Sequence, residues 1–374
     1  MILELVFWSS VGCILYTYAG YPLLLRLLAR RPAALPARDR ELPKVTLLVP
    51  FHNEESKAAR KVANTAALEY PVSRLQVLLV SDGSTDGTVM RLREASPPHM
   101  TVVELPTRGG KAAALNAALG LASNEIVVFS DASIELEPNS LSRLVAPFAD
   151  PAIGAVSGED RIAESGGEGL YGRYELYLRR LESDVHSIVG ASGSFYAQRR
   201  ALCEPFVEGM APDFLSVLRT VEQGFRAVSE PSAVGSMSSV KSTSREFERK
   251  VRTAIRGMTT LFAYGHLLNP FRFGVFAFQL WSHKVLRWAI PFFLLAALFS
   301  SALLLPSPLF AALLALQALL YLLALAAYVG MFGVQHTLPG RVALYFTVVN
   351  AALLVAWVRY LSGVRQELWV PSQR

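Results

Sequence analysis

Residues 75–88 read LQVLLVSDGSTDGT, an apolar run that ends at Asp82 and a glycine-containing turn. A similar run precedes it at residues 45–50 (VTLLVP), and another follows at residues 125–130 (EIVVFS). Continuous apolar runs of this length are typical of strands that are buried on both faces of a parallel sheet. Helix-forming segments separate the runs, at residues 54–68, 86–95 and 111–121. The alternation predicts an α/β domain, a mainly parallel sheet with helices on both faces.

Polar residues collect at the ends of these runs. Residues 52–55 (HNEE) follow the first run, while Asp82 and Asp131 follow the other two. In open parallel sheets, ligands bind outside the carboxyl ends of the strands. We therefore expect the binding site at this edge of the sheet.

Four long stretches of the chain contain no charged residue. They lie at residues 5–25, 288–305, 309–330 and 342–358, and each holds 17 to 22 residues. A helix needs roughly 20 apolar residues to cross a bilayer, so each stretch is a candidate transmembrane helix. The 374-residue chain is 52% hydrophobic and only 18% charged, against about 25% charged residues in typical soluble domains, which excludes a freely soluble protein. Its two cysteines exclude a disulfide-stabilised scaffold.

The first apolar stretch is interpreted as a membrane anchor rather than a cleaved signal peptide. No Lys or Arg precedes it, whereas a signal peptide begins with basic residues. Because basic residues stay on the cytoplasmic side, we expect residue 44 onward in the cytoplasm and the N-terminus outside. The net charge of +6 is explained by contact with lipid headgroups and requires no nucleic acid. The basic cluster after the stretch comprises Arg26, Arg30, Arg31, Arg38, Arg40 and Lys44, against Asp39 and Glu41.

The sequence leaves the side of the C-terminus open. One span before the soluble region and three after it would place the tail outside, but the tail carries three arginines against Glu367. Either one stretch is re-entrant or the tail departs from the charge rule. Residues 243–264 predict a basic amphipathic helix, and residues 271–281 are rich in aromatic side chains. We interpret both segments as lying in the membrane interface.

Four motifs occupy the predicted edge of the sheet: residues 50–55 (PFHNEE), 82–88 (DGSTDGT), 108–116 (RGGKAAALN) and 131–133 (DAS). Taken singly, each motif also fits a helix cap or a glycine turn. In combination, they make residues 45–260 resemble a membrane-bound family 2 glycosyltransferase. The resemblance implies a GT-A fold for the domain and a nucleotide-sugar donor for the enzyme.

The chemistry of the motifs agrees with such a donor. A carboxylate such as Asp82 can accept the imide N–H of uracil and the hydroxyls of ribose, and Glu54 can accept from the same region. Lys111, at a glycine turn that opens a helix, brings positive charge and free backbone N–H groups to a phosphate. The Walker motif GxxxxGK[ST] is absent, so an ATPase is not supported. The predicted nucleotide-binding residues are Pro50, His52, Asn53, Glu54, Asp82, Lys111 and Asp131.

The sequence Asp131-Ala132-Ser133 stands where the family has Asp-x-Asp, whose last residue binds a divalent cation, Mg²⁺ or Mn²⁺. Here that residue is Ser133, a poor ligand for a hard cation. In an extended segment Asp131, Ser133 and Glu135 share one face. We hypothesise that Glu135 supplies the missing carboxylate; the alternative is a solvated loop residue.

The catalytic base is predicted to be Asp213, in the sequence APDFL of residues 211–215. The resemblance places a pair of acids here, and Pro212 replaces the first of them. In an inverting transfer such a carboxylate deprotonates the acceptor hydroxyl. The alternative is an acid that only offsets the dipole of the helix it starts.

Acceptor contacts are expected from the Gly193 and Ser194 loop, which is otherwise an ordinary turn, and from Arg252 and Arg256. These arginines lie four apart on one helix face and could meet phosphate or merely the membrane surface. Processive synthases of the family carry Gln-x-x-Arg-Trp at this place, but only Arg256 is retained here. A stacking residue for a growing polymer is therefore missing, and the three C-terminal spans hold almost no polar residues that would line a pathway.

The sequence thus predicts an inner-membrane, multi-pass glycosyltransferase with a cytoplasmic catalytic domain. The resemblance implies that it moves one sugar from a UDP-linked donor to a lipid-linked saccharide or a lipid in exopolysaccharide assembly. The alternatives are a processive polysaccharide synthase and a non-catalytic membrane partner that binds nucleotide sugars. The predicted segments are an N-terminal transmembrane helix (1–30), the GT-A domain (44–242), interfacial helices (243–286), three transmembrane helices (287–361) and a tail (362–374).

Overall fold

The computed structural model describes residues 1–29, 41–162, 166–238 and 243–365. Within these residues, one sheet is formed by β1 (Val45–Phe51), β2 (Leu75–Asp82), β3 (Met100–Leu105), β4 (Ile126–Ser130), β5 (Glu135–Leu136), β6 (Ile153–Ile162), β7 (Phe195–Arg199) and β8 (Arg226–Met237). The helices of the first half are α1 (Ile2–Leu15), α2 (Tyr21–Leu28), α3 (Glu55–Ala66), α4 (Thr88–Ala95), α5 (Lys111–Leu121), α6 (Ser140–Val145) and α7 (Gly166–Val185). Those of the second half are α8 (Pro212–Glu222), α9 (Thr243–Ala263), α10 (Pro270–Leu280), α11 (Leu286–Leu303), α12 (Pro308–Val329) and α13 (Leu338–Leu361).

The sheet has the order β3-β2-β1-β4-β7-β6-β8-β5. Strands β3, β2, β1 and β4 are parallel, as the alternation of apolar runs and helices predicts. Strand β7 enters antiparallel between β4 and β6, and β8 runs parallel to β6. The second half of the sheet is therefore mixed, and the carboxyl ends of β1, β2 and β4 meet at one edge.

The central strands are buried because both faces of the sheet are covered. All seven residues of β1 are buried. Leu47 and Val49 pack in the cluster that contains Val62 of α3, whereas Leu48 packs in the cluster that contains Leu115 of α5. Alternate residues of a strand point to opposite faces, so helices lie on both sides, as predicted. Each fully buried aliphatic side chain contributes roughly 1.5–3 kcal/mol to folding.

Among the described residues, four helical segments are long and apolar enough to cross a membrane: Ile2–Leu28, Pro270–Leu303, Pro308–Val329 and Leu338–Leu361. Two of them are continuous through π-helical turns, at Tyr16–Gly20 and at Trp281–Val285. Residues 271–281, which the sequence places in the interface, form the first part of the second segment. Their helix is interrupted at Gly274, whose φ of 48° suits glycine.

The apolar helices pack against one another and against the α/β domain. Phe7 of α1 contacts Phe310 at the start of α12, with ring centroids 5.2 Å apart. At the other end of this N-terminal segment, Tyr21 donates a hydrogen bond of 2.7 Å to Glu182 of α7. Helix α13 instead packs along α9, where Arg359 forms an ion pair of 3.3 Å with Glu248. Helix α2 and the C-terminal end of α13 therefore both contact helices of the α/β domain.

Candidate functional site

Three segments meet at the edge formed by the ends of the strands. Lys111, the first residue of α5, donates a hydrogen bond of 2.6 Å from Nζ to Oδ1 of Asp131 and one of 3.3 Å to the carbonyl of Gly193. A Cβ atom placed on Gly193 would lie 3.9 Å from Oδ2 of Asp213. Lys111, Asp131 and Asp213, which are predicted to bind phosphate, bind a cation and act as the base, therefore lie around the same cleft. This convergence is the relationship on which the predicted site depends.

The carboxylate of Asp82 organises the glycine loop before α5. Asp82 is fully buried, and its two oxygens accept hydrogen bonds from the backbone N–H of Gly109 at 2.7 Å and of Gly110 at 2.9 Å. Gly110 has φ of 91°, and a Cβ there would lie 2.6 Å from Oε1 of Glu208. Only glycine fits this position. Asp82 therefore places Lys111, and direct contact of its carboxylate with a nucleotide stays a prediction.

Residues of the loop after β1 form hydrogen bonds with the loop after β2. Nδ1 of His52 makes a hydrogen bond of 2.7 Å with the backbone carbonyl of Asp82. Oδ1 of Asn53 accepts a hydrogen bond of 2.8 Å from the backbone N–H of Thr85, and Asn53 itself has a left-handed φ of 50°. Pro50 lies inside β1, opposite Val80. These hydrogen bonds hold the two loops together at the predicted nucleotide site.

Glu54, in the loop after β1, is a buried acid. Its backbone N–H donates to Oγ1 of Thr88 at 2.9 Å, and its carboxylate forms an ion pair of 2.9 Å with Lys57. Burial raises the pKa of Glu54, and the nearby Asp131 carboxylate raises it further, while Lys57 opposes the shift. Glu54 therefore adds to the negative potential around Asp131.

The cation ligands predicted from the sequence are only partly brought together. Asp131 keeps a quarter of its side chain exposed, whereas Glu135 on β5 forms an ion pair with Arg60 of α3. Among the described residues, no group of three or more His, Cys, Asp or Glu side chains is placed to hold a metal. One carboxylate still fits Mg²⁺ or Mn²⁺, because such ions bind through one or two carboxylates and the oxygens of substrate phosphates. Ligation by Ser133 and Glu135 stays a prediction.

Lys61 is a feature of the site that the sequence analysis missed. This fully buried residue of α3 donates from Nζ to Oγ of Ser130 and to the carbonyl of Ile134, both at 2.8 Å. Burial lowers its pKa to about 7, although Asp131 and other nearby acids oppose the shift. Lys61 thereby holds the turn that presents Asp131. Its position in line with the buried Ala58 and Thr65 of the same helix was the available signal.

A second missed group holds the loop at Gly193. The hydroxyl of Ser192 donates to Asp160 and accepts hydrogen bonds from the backbone N–H of Ser194 at 3.1 Å and of Phe195 at 3.0 Å. The backbone N–H of Ser192 donates to Oγ of Ser157 at 2.8 Å. This network turns the carbonyl of Gly193 toward Lys111. Asp160 and Ser192 are therefore positioning residues.

Asp213 lies in the first turn of α8, and α9 supports the segment before it. The backbone N–H of Ala211 donates to Oγ1 of Thr260 at 2.9 Å, and Arg256 donates to the carbonyl of Met210 at 2.7 Å. Burial lowers the pKa of the Arg256 guanidinium, while the carboxylate of Asp213 opposes the shift. Arg252 lies close enough to Arg256 to repel it. The predicted arginine pair thus stands beside the predicted base.

The α/β domain that carries these residues is similar to known proteins. The model of the family "Glycosyl transferase family 2" matches residues 46–205. Residues 46–205 are a family 2 glycosyltransferase domain. The match covers β1 through the end of β7 and stops before Asp213 and the apolar helices. The GT-A fold that the motifs imply is confirmed.

Curated relatives of this glycosyltransferase domain have different products. A β-monoglucosyldiacylglycerol synthase of Nostoc sp. is 32% identical over 168 residues, which are 44% of this chain and 36% of that protein. An N-acetylglucosaminyltransferase of Rhizobium meliloti is 33% identical over 138 residues, which are 36% of this chain and 32% of that protein. A poly-β-1,6-N-acetyl-D-glucosamine synthase of Staphylococcus epidermidis is 28% identical over 159 residues. The chain spans about a third of the length of these relatives.

A solved structure is similar over nearly the whole chain. It is the mannosyltransferase PcManGT from Pyrobaculum calidifontis, in complex with GDP-Man and Mn²⁺. The two chains are 28% identical, with a TM-score of 0.74, and the likeness covers 96% of this chain and 99% of that one. The similarity therefore extends beyond the glycosyltransferase domain to the apolar helices.

Proposed function

We propose that the protein is an inverting glycosyltransferase that moves one sugar from a nucleotide-sugar donor to a lipid-linked acceptor. The observation that supports this most directly is that Lys111 binds both Asp131 and the carbonyl of Gly193, and that Asp213 lies beside Gly193. This arrangement joins a phosphate-binding helix start to a carboxylate that lines a cavity against the apolar helices. Donor and acceptor would meet between these two ends.

The donor diphosphate would bind at Lys111. The N-terminus of α5 offers backbone N–H groups and the positive end of a helix dipole, and the ammonium adds a full charge. Asp131 would hold a divalent cation, which supplies charge to the departing diphosphate when it is bound. The donor is proposed to be UDP-linked, whereas PcManGT was solved with GDP-Man.

Asp213 would act on the acceptor. Its carboxylate takes the proton of the acceptor hydroxyl while that oxygen forms a bond to the anomeric carbon of the donor sugar. The bond from that carbon to the diphosphate breaks, and the nucleoside diphosphate leaves with the electron pair. Lys111 meets the charge that develops on the diphosphate.

The surroundings of α9 support transfer of a single sugar. At Gly257, where processive synthases have Trp, a Cβ atom would lie 3.0 Å from the ring of Trp288. A tryptophan at position 257 would therefore require Trp288 to shift. A processive synthase and a non-catalytic sugar-nucleotide partner are the alternatives that the test below separates.

The proposed orientation has the glycosyltransferase domain in the cytoplasm, on the inner membrane, in exopolysaccharide assembly. It is supported by four candidate spans and by the basic residues that follow the first of them. The proposed segments keep the sequence-based boundaries of 1–30, 44–242, 243–286, 287–361 and 362–374.

The test uses the full chain in lipid nanodiscs with UDP-glucose, UDP-N-acetylglucosamine or GDP-mannose, with Mg²⁺ or Mn²⁺. We expect nucleotide release with one UDP-sugar and a lipid whose mass rises by one sugar. A ladder of products would instead identify a processive synthase. Donor binding without nucleotide release, in the presence of total bacterial lipid, would identify a non-catalytic partner.

A further inference from the structure

A cavity of about 270 Å³ lies between Asp213 and the apolar helices. Helices α7, α9 and α13, the loop at Gly190 and the π-helical turn Trp281–Val285 surround it. Val349 and Leu353 of α13 form an apolar part of the wall. Besides Asp213, the charged side chains of the wall are Glu175, Arg179, Glu182, Lys250, Lys284 and Arg287.

Both glutamates of this wall already have cationic or donor partners. Arg287 forms an ion pair with Glu175, and His283 bridges Glu175 at 3.2 Å and Glu182 at 2.6 Å. Burial opposes the ionisation of Glu175, but Arg287 and His283 outweigh it and hold the pKa of that carboxyl well below its usual range. Tyr21 donates a further hydrogen bond to Glu182. Glu175 is thus held as a carboxylate beside its cations, and Glu182 has hydrogen-bond partners of its own.

Two of the other cations are also engaged. The guanidinium of Arg179 donates to Oγ of Ser157 at 3.2 Å. The ammonium of Lys250 lies 5.1 Å from the ring centre of Tyr171 and 3.6 Å from Glu246. These cations therefore belong to the structure of the wall.

Lys284 differs from them. Its ammonium lies over the ring of Phe214, 5.2 Å from the ring centre, and 3.3 Å from the position of a Cβ on Gly190. Among the described residues, no carboxylate forms an ion pair or hydrogen bond with it, and Glu175, Glu182 and Asp213 act on it only at longer range. Its side chain is only partly buried, and an ammonium that lines a cavity without a direct anionic partner can form a charge-assisted hydrogen bond with a bound anion. Ionisable residues inside an apolar helical segment mark substrate contacts, and π-helical turns are frequent at functional sites.

We propose that Lys284 binds the phosphate of an anionic acceptor lipid. This inference rests on the proposed function and adds the chemical class of the acceptor. The carboxylate of Asp213 repels a phosphate, so the phosphate lies at the Lys284 side of the cavity, and the apolar wall at Val349 and Leu353 receives the start of the lipid chain. A neutral diacylglycerol would leave the ammonium unpartnered.

The first test measures binding. Native mass spectrometry of the detergent-purified full chain compares phosphatidylglycerol, a polyprenyl phosphate and diacylglycerol as probes. We expect the wild type to retain at least one of the two phosphate lipids about tenfold better than diacylglycerol, the preference that loss of one charge-assisted hydrogen bond removes. Lys284→Met should abolish this preference. The probe that is retained distinguishes a phosphodiester headgroup from a lipid monophosphate.

The matched control is Arg272→Met, which removes an exposed cation from the preceding helix outside the cavity. Arg272→Met should leave the lipid preference intact, and Lys284→Arg should restore most of it. Equal retention of diacylglycerol by the wild type, or a phosphate preference that survives Lys284→Met, would overturn the inference. A thermal melt of each variant identifies one that fails to fold, and Lys284→Gln then replaces Lys284→Met.

The second test measures turnover with a lipid acceptor. For Lys284→Met, we expect the KM for the phosphate lipid to rise about tenfold while the KM for the donor is unchanged. Turnover with diacylglycerol alone would refute the anionic acceptor but leave the proposed function intact. Absence of nucleotide release with every donor would refute the proposed function, and the binding test would still decide the role of Lys284.

Discussion

The ammonium of Lys111 lies 2.6 Å from the carboxylate of Asp131, so a cation of the protein itself contacts the residue proposed to bind the divalent ion. Both side chains are only partly exposed, which strengthens their interaction relative to a surface ion pair. An incoming divalent ion has to share Asp131 with Lys111 or displace it. The donor diphosphate offers Lys111 a second anionic partner.

Removal of Lys111 should therefore separate metal binding from catalysis. Lys111→Met leaves Asp131 without its ion-pair partner, so we expect Mn²⁺ to bind the donor-free protein several-fold more tightly. The same variant should lower kcat by about 10²–10³, the effect of removing one donor that stabilises developing charge. Titration calorimetry and nucleotide release measure the two effects. Weaker Mn²⁺ binding by the variant would contradict the competition.

Replacement of Asp213 tests the base. Asp213→Asn keeps the shape of the side chain but cannot take a proton, so we expect transfer to fall by about 10²–10⁴ with unchanged affinity for the donor. Glu94→Gln, in an exposed surface pair with Arg91, is the control. Transfer that persists near the wild-type rate in Asp213→Asn would leave only the helix-dipole role for this acid.

Two variants with opposite expected effects test the hypothesis that Glu135 binds the cation. Glu135→Gln should weaken the Mn²⁺ dependence of turnover if this carboxylate completes the cation site, and we expect a change of about tenfold. Arg60→Gln frees Glu135 from its ion pair, so it should strengthen the dependence. Unchanged metal activation in both variants removes Glu135 from the site and leaves Asp131 as the protein carboxylate there.

Lys61 predicts a pH dependence of stability. Its pKa is about 7 in the folded protein and near 10.5 when unfolded, so between these values the unfolded chain binds more protons. The free energy of unfolding should therefore rise with pH from about 7 to 10, by up to roughly 1.4 kcal/mol per pH unit from this residue. Below pH 7 the contribution is constant, because Lys61 is protonated in both states.

The comparison of wild type with Lys61→Met isolates this contribution, since the other titrating groups are common to both proteins. Thermal melts in detergent across pH 6.5 to 10 measure it as a difference in Tm. The wild type should gain Tm relative to the variant as the pH rises. A difference that stays constant across the range would show that Lys61 is buried without loss of its proton.

The ion pair between Arg359 and Glu248 predicts where the chain ends after α13. It holds the end of α13 at α9, on the side of the sheet, which agrees with the arginines of the tail and with a re-entrant last stretch. In a background without Cys13 and Cys203, Ser362→Cys should react with a membrane-impermeant maleimide only in inverted vesicles, like Ser73→Cys of the α/β domain. Ser307→Cys, between α11 and α12, should react in right-side-out vesicles. Labelling of position 362 together with position 307 would contradict the re-entrant arrangement.

The first half of the fold could be predicted because its information is local. The run at residues 75–80 is apolar in every position but one, and the turn after it contains two glycines, so the strand and its end are both marked. Helix α5 begins at Lys111 directly after Gly110, as expected. The second half could not be predicted, because β7 is placed between β4 and β6 by partners distant in the chain. Strand β8 likewise extends over Arg226–Met237 through its long pairing with β6.

In the candidate site, too, some residues could be predicted from local sequence and others could not. Asp131 and Asp213 could be predicted because Asp131 ends an apolar run and Asp213 stands where the resemblance places an acid; their roles stay predictions. Lys61, Asp160 and Lys284 were missed because their roles come from contacts between helices and loops that no short pattern records. For Lys284, only its position beside Phe214 in the structure distinguishes it from a cation that contacts lipid headgroups.

The two hydrogen bonds from Gly109 and Gly110 to Asp82 have a kinetic consequence. Asp82 is fully buried and both of its oxygens are bound to this segment, so a nucleobase reaches its carboxylate only after the segment before α5 moves. Association then proceeds at the frequency of that rearrangement rather than at the encounter rate, as is general where binding depends on a conformational change. Donor analogues that engage Asp82 should accordingly inhibit with a slow onset, whereas analogues that contact only Lys111 should reach equilibrium at once.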